Sequence, residues 1–230
     1  MVSDSVLNRI KGGLIVSCQA LNDEPLHSSY IMSRMAYAAM LGGAVGIRAN
    51  TVEDIQEIKK LVHLPIIGII KRIYEDSDVY ITPTLEEVDA LVNCGVEIIA
   101  MDATFHLRPK SQSIDEFFTE VRKKYPNQLF MADCATYEEG MHAVQLGFDI
   151  VATTLCGYTS ETKDVKLPNY DLMRKLVRDS GKPVIAEGGI WSPEQLKMAF
   201  ETGVFAAVVG TAITRPMDIT KRFVEAIKNE

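Results

Sequence analysis

The chain has 230 residues, 47% of them hydrophobic, and a formal charge of −7, which is enough to bury a substantial core in one large domain or two small ones. Mild acidity argues against nucleic acid or an anionic membrane surface as the partner, and no apolar run approaches the ~20 residues of a membrane span. The dispersed Cys18, Cys94, Cys134 and Cys156 form no C-x-x-C pair and read as reduced thiols of a cytoplasmic protein. Met1–Lys11 lacks the apolar core of a signal peptide, and the histidines show no metal-ligand spacing.

Along the chain, a short apolar run is followed repeatedly by a polar turn and a helical stretch. The runs are Leu14–Cys18, Ala44–Arg48, Ile66–Lys71, Val96–Asp102, Leu129–Asp133, Ile150–Thr154, Pro183–Glu187 and Ala206–Gly210. Continuous apolar runs of this kind fit parallel strands buried on both faces. Successive runs begin about 27 residues apart, so eight units fill the chain as in a (β/α)8 barrel. A doubly wound open sheet alternates in the same way; the count of eight favours the closed TIM barrel. Between the runs, Ile31, Met35, Ala38 and Ala39 share a helical face, as do Ile55, Ile58 and Val62, and Leu172, Leu176 and Val177. Thr51, Ser113 and Ser192-Pro193 read as helix starts. Gly42-Gly43, Gly95, Gly147 and Gly203 precede strands, where helices would end in a left-handed turn. No linker or composition shift divides the chain, and residues 1–230 are expected to form one barrel domain.

Chemistry in such a barrel gathers where strands end. The residues there are Ser17, Gln19, Arg48, Lys71, Asp102, Asp133, Thr153, Thr154, Glu187, Gly210 and Thr211. Lys71 ends the most apolar run; it is either a snorkelling lysine or a functional one. Converging charges of both signs suit a small polar ligand, whereas a mere capping network of that many desolvated charges would rarely add stability. Gly188 and Gly189 after the seventh run, and Gly210 and Thr211 after the eighth, would let backbone N–H groups approach an anion at the usual phosphate position of such barrels. Arg215 follows, within reach of that anion or of the short helix end. A metal on Asp102, Asp133 and Glu187 is disfavoured by the neighbouring Lys71 and Arg48. Cys18, Cys134 and Cys156 have no histidine partner and read as packing residues.

Several blocks resemble the bacterial N-acetylmannosamine-6-phosphate 2-epimerase family: I-V-S-C-Q-A-L at Ile15–Leu21, E-P-L-H-S-S at Glu24–Ser29, G-A-V-G-I-R-A-N at Gly43–Asn50, P-I-I-G-I-I-K-R at Pro65–Arg72 and A-I-T-R-P at Ala212–Pro216. M-A-D at Met131–Asp133, T-T-L-x-G-Y-T at Thr153–Thr159 and A-E-G at Ala186–Gly188 extend the resemblance over nearly the whole chain. It implies a phosphate-binding barrel, a phosphorylated amino-sugar substrate, amino-sugar (sialic acid) catabolism in the cytosol, no cofactor, and a homodimer built through the C-terminal helix Pro216–Lys228. It also implies that Gln19, Arg48, Lys71, Asp133, Glu187 and Arg215 contact substrate, with Lys71 and Glu187 as the catalytic pair. Asp133 is a further candidate acid–base group, and Asp102 and Thr153 are candidate substrate contacts. The chain departs from the family pattern at Thr211, where a second glycine is usual, and at Cys134.

The residues fit a reaction at a carbon made acidic by an adjacent carbonyl. Lys71 suits a base whose pKa is lowered by burial and by like charge. One lysine serving both faces of the carbon and two groups serving one face each are both compatible with this set. A Schiff-base aldolase using Lys71 and a silent phosphosugar-binding protein are the competing classes.

Overall fold

Eight short parallel strands follow one another in order around a closed barrel. The computed structural model describes residues 2–228. The strands are β1 (Leu14–Cys18), β2 (Gly46–Asn50), β3 (Ile66–Ile69), β4 (Ile98–Asp102), β5 (Leu129–Asp133), β6 (Ile150–Ala152), β7 (Val184–Glu187) and β8 (Ala206–Val209), and β8 pairs with β1 to close the ring. Among the described residues the helices are α1 (Val2–Ile10), α2 (Ser29–Leu41), α3 (Val52–Lys59), α4 (Leu85–Cys94), α5 (Ile114–Lys124), α6 (Tyr137–Leu146), α7 (Tyr170–Asp179), α8 (Pro193–Glu201), α9 (Thr211–Thr214) and α10 (Pro216–Ala226). The fold is a (β/α)8 TIM barrel.

Side chains alternate along each strand, and this alternation creates two cores. Ile15, Ile67, Ile69, Ile98, Ala100, Met131, Ile150, Ile185 and Val208 fill the barrel interior. Helix α1 lays Val6 and Ile10 against that cluster beside Val45 and Phe205, at the end where strands begin. The opposite parity, including Ile47, Ile99, Phe130, Val151 and Ala207, packs outward against Ile55, Ile58, Leu91, Phe117 and Leu172 of the helices. The end where strands begin is thus plugged by apolar groups. The only way to place charge inside the barrel is at the other end.

Thr51, Ser113 and Ser192 cap their helices through bonds accepted from Asp54, Glu116 and Gln195 N–H. Thr84 and Thr136 add capping boxes with Glu87 and Glu139. Gly43, Gly95, Gly147 and Gly203 have positive φ, as expected of helix terminators, but Gly42 remains right-handed. Most strand bounds fall within a residue or two of the apolar runs, and three differences bear on where side chains are placed. Strand β2 runs from Gly46 to Asn50, so Arg48 lies in mid-strand and not at its end. Strand β3 stops at Ile69, and Lys71 follows it in an isolated antiparallel bridge to Ile81. Helix α2 buries Met32, Ser33 and Ala36, while Ala38 is exposed; a helix apolar on most sides leaves its buried stripe weakly specified by periodicity.

Gly68 faces outward on β3, where an added Cβ would stand 2.9 Å from Val96 Cγ1 and 3.0 Å from Leu91 Cδ2. That space is already filled. Gly68→Val is therefore expected to destabilise the fold by about 1–3 kcal/mol through overpacking, which thermal melting would register as a fall of roughly 2–12 °C in Tm. An unchanged Tm would show that helix α4 yields without cost.

Candidate active site

Strand parity carries side chains from the apolar interior up to a cavity at the C-terminal ends of the strands. The inward series are Ile15, Ser17, Gln19 from β1; Gly46, Arg48, Asn50 from β2; Ile67, Ile69, Lys71 from β3; Ile185, Glu187, Gly189 from β7; and Ala206, Val208, Gly210 from β8. Ser17, Gln19, Arg48, Lys71, Glu187, Gly188, Gly189, Gly210, Thr211 and Arg215 all line this cavity.

Arg48 is the centre of the floor and is almost inaccessible, with 1% side-chain exposure. It donates through Nη1 and Nη2 to both oxygens of Asp133, at 3.1 and 2.6 Å, and through Nη1 to Glu187 Oε2 at 2.9 Å. Thr154 Oγ1 donates to Asp133 Oδ1 at 2.6 Å and lies 3.1 Å from Glu187 Oε2. Asp133 is thus saturated by a forked arginine and a hydroxyl. The bonds of Glu187 fall on Oε2, which leaves Oε1 turned to other work.

Two groups at this floor titrate near neutrality. Burial, and then the positive charges of Arg48 and Arg215, lower the Lys71 ammonium to about 8 against the pull of Glu187 and Asp133. Among the described residues its Nζ has no hydrogen-bond or ion-pair partner; only its backbone N–H is held, by Asn50 Oδ1 at 2.8 Å. Burial raises the Glu187 carboxyl to about 7, with Asp133 adding to the rise and Arg48, Thr154 and Lys71 opposing it. Lys71 is therefore not a snorkelling lysine with its head in bulk water. It is a half-buried amine beside a cavity.

At the other side of the cavity, Gly188 and Gly189 have φ of +109° and +70°, a region open to glycine and strained for other residues. An added Cβ at Gly189 would also strike Leu167 Cβ at 2.3 Å. Thr211 begins helix α9 with no positive φ, so this position does not require glycine. Its N–H and that of Ala212 belong to the first turn and have no carbonyl within the helix to bond. Thr214 Oγ1 fastens α9 to the end of β1 by donating to Ser17 O at 2.7 Å. Gln19 Nε2 donates to Ser17 Oγ at 2.7 Å, and its buried Oε1 has no partner among the described residues. An orphan acceptor on a cavity wall suits a ligand donor.

Three expected site residues stand elsewhere. Asp133 does not face the cavity; it is fully buried beneath Arg48 and its oxygens are occupied. Asp102 accepts from Thr104 N–H and Oγ1 at 2.8 and 2.6 Å, away from the cavity, and burial raises its pKa. Thr153 spends its hydroxyl on the backbone of Glu187, donating to its carbonyl at 2.8 Å, and Thr154 takes the cavity position. The three carboxylates consequently do not converge, and among the described residues no three His, Cys, Asp or Glu side chains group as a metal site. Cys18, Cys134 and Cys156 are buried, with thiol pKa values raised by burial. Sequence reasoning assigned no role to Tyr80, Tyr158 and Trp191, which line the cavity from loops. Loop residues follow no periodicity, and Tyr158 was marked only as part of a family motif.

Residues 32–229 match a family described as "Putative N-acetylmannosamine-6-phosphate epimerase". A relative from Clostridioides difficile (strain 630), whose name adds the 2-position to that description, is 55% identical over 223 residues, covering 97% of this chain and 99% of its own. A relative of the same name from Caldanaerobacter subterraneus subsp. tengcongensis is 52% identical over 223 residues, covering 97% and 94%. A solved structure of N-acetylmannosamine-6-phosphate 2-epimerase from Clostridium perfringens matches with a TM-score of 0.91 and 53% identity, over 96% of this chain and 95% of that one.

The buried ion cluster makes a prediction about stability. Arg48→Leu leaves two buried carboxylates without their cation and is expected to cost about 3–5 kcal/mol at neutral pH. The Glu187 carboxyl, already raised by burial, would rise further. A carboxyl raised in the folded state favours folding at low pH and opposes it as pH climbs through its folded pKa. Denaturant melts should therefore show a deficit largest above pH 7 and smaller at pH 5; a pH-independent deficit would mean that lost packing, not stranded charge, is the cost.

Proposed function

The chain belongs to the N-acetylmannosamine-6-phosphate 2-epimerase family, and we propose that Lys71 and Glu187 are the proton carriers by which it inverts C2 of N-acetylmannosamine 6-phosphate to give N-acetylglucosamine 6-phosphate. It is an isomerase. The observation that carries the residue assignment is the pair of near-neutral groups lining one cavity, each with an atom that no hydrogen bond or ion pair among the described residues occupies.

C2 becomes acidic only in the open-chain sugar, where it lies next to the aldehyde. Neutral Lys71 takes the C2 proton, and the electron pair moves onto O1 as an enolate. Arg48, with Nε unpartnered, supplies positive charge under the cavity floor to stabilise it. Glu187 returns a proton to the opposite face of C2, and the enolate collapses to the aldehyde of the other epimer. In the reverse direction the two groups exchange roles. Asp133 holds Arg48 in place and takes no part in the proton transfer. The Gly188-Gly189 turn, the Gly210–Thr211 segment and Arg215 hold the 6-phosphate, and Gln19 Oε1 accepts from a substrate donor. A Schiff-base aldolase would need Lys71 to form a carbon–nitrogen bond; borohydride trapping followed by mass measurement separates that reading. We further infer that the enzyme works in cytoplasmic amino-sugar catabolism as a single-domain homodimer. Exposed Met217, Phe223, Val224 and Ile227 along and after α10 support the dimer reading, and no helix among the described residues is long and apolar enough to cross a membrane.

Proton NMR in D2O tests the mechanism. Lys71→Ala should lower both epimerisation and deuterium entry at C2 by at least ~10², the low end for loss of a general base, without unfolding the protein. Glu187→Gln should stop epimerisation yet still admit deuterium into the starting epimer, because Lys71 can return a solvent deuteron to the face it deprotonates. A folded Lys71→Ala variant exchanging at near the parent rate would remove Lys71 from the mechanism. For the unaltered enzyme, kcat/KM should be bell-shaped in pH with its maximum between the limbs set by Glu187 near 7 and Lys71 near 8. A flat profile across pH 6–9 would separate the titration of these groups from turnover. Arg215→Ala should raise KM for the 6-phosphate sugar far more than for the unphosphorylated sugar; equal effects on both would place the phosphate elsewhere.

A further inference from the structure

We propose that Glu24 is a positioning residue for phosphate capture: it holds the Arg215 guanidinium in the orientation from which it meets the 6-phosphate. The inference rests on the phosphate reading of Arg215 given above. Glu24 lies in the turn after β1, and Arg215 lies at the junction of α9 and α10, so the pair joins opposite ends of the chain. Arg215 Nη2 stands 2.8 Å from Glu24 Oε1, and the two side chains are only 26% and 14% exposed. The same Oε1 accepts from Leu21 N–H at 3.0 Å, which fixes the carboxylate to its own turn. Arg215 lines the cavity and Glu24 does not. The carboxylate thus pairs with the guanidinium by charge from outside the cavity lining, leaving its N–H donors for an anion.

A second tie supports the same reading. Thr214, the residue before Arg215, is bonded through its hydroxyl to Ser17 O on β1. The backbone and the head of the arginine are therefore both referred to the β1 side of the barrel. An ordinary surface ion pair adds little stability. Here its effect falls on binding, because a long side chain held in its bound rotamer loses less freedom when the ligand arrives. Opposing this, a carboxylate near a phosphate dianion repels it. The placement of Glu24 outside the cavity and the neutralising guanidinium between them favour the orienting effect.

Steady-state kinetics on the full chain decide the matter. Glu24→Ala should raise KM for N-acetylmannosamine 6-phosphate about 5- to 30-fold, which is roughly 1–2 kcal/mol at 1.4 kcal/mol per tenfold, and should weaken competitive inhibition by inorganic phosphate in parallel. The turnover number should stay within about twofold, since the group acts through binding and not at C2. Glu24→Gln keeps an acceptor oxygen and should recover part of the loss, which distinguishes orientation from a collapsed turn. In an Arg215→Ala background, Glu24→Ala should add nothing further, because its effect passes through that arginine. An unchanged or lowered KM in Glu24→Ala, or an additive loss in the double variant, overturns the proposal. If Arg215→Ala alone leaves KM unchanged, the phosphate reading falls; if Arg215→Ala raises KM and Glu24→Ala does not, only the role of Glu24 falls.

Discussion

One arginine shared by two carboxylates governs the floor of this barrel. Asp133 takes both nitrogens of the Arg48 fork and a threonine hydroxyl, and it is fully buried with the arginine. That pair is already neutral as a unit. Glu187 is the surplus anion: it reaches the same guanidinium through one oxygen, after the charge has been balanced. Ionising a second carboxylate in a buried site against one cation is unfavourable, which is why burial and Asp133 together hold Glu187 near neutrality. The same arginine acts on Lys71 with the opposite sign, as a like charge that helps to lower its ammonium. Burial therefore sets both groups, with Asp133 raising the acid and Arg48 lowering the base while it restrains the rise of Glu187.

The barrel makes this arrangement affordable in structural terms. Inward positions run from Ile98 and Ile150 to Ala100 and Ala152, so the interior is dry until the last layer. Charges introduced there have water on one side and a closed ring of strands on the other. The parallel register places Asp102 beside Asp133 and Ser17 beside Arg48. Neighbouring strands thus bring together side chains distant in sequence without any loop having to be rigid. Arg108 performs a related task behind the site. Fully buried against the Phe117 ring, it donates to the carbonyls of Thr82, Pro83 and Asp102 and fastens the loop that carries Tyr80 to the end of β4.

Much of this was legible in the sequence because eight continuous apolar runs at near-even spacing are a long-range regularity and helix caps have local signatures of their own. The strands, three helix caps and the cavity residues Lys71, Glu187 and Arg48 follow from them. One misplacement is a matter of parity. Residues were assigned by their position at the end of a run, although the side chain's facing depends on parity. Counting by two from Ile150 passes through Ala152 to Thr154, not Thr153, and Thr154 is the hydroxyl that reaches the cavity. Parity does place Asp102 and Asp133 inward, yet Asp102 is drawn aside by Thr104 two residues later, and Asp133 lies under Arg48. Neither fact is periodic. Glu24 was visible only as part of a family motif, since its partner lies near the far end of the chain.

Phosphate recognition and proton transfer are not independent in this cavity. Arg215 is among the positive charges that lower Lys71, and it is also the cation assigned to the 6-phosphate. A bound phosphate offsets the charge of Arg215, and that influence on Lys71 diminishes. What remains after binding is burial and Arg48, and a substrate that excludes water strengthens both. Of the two arginines that hold Lys71 low, phosphate capture therefore takes up one, and the base depends on Arg48 and on burial to stay neutral enough to act.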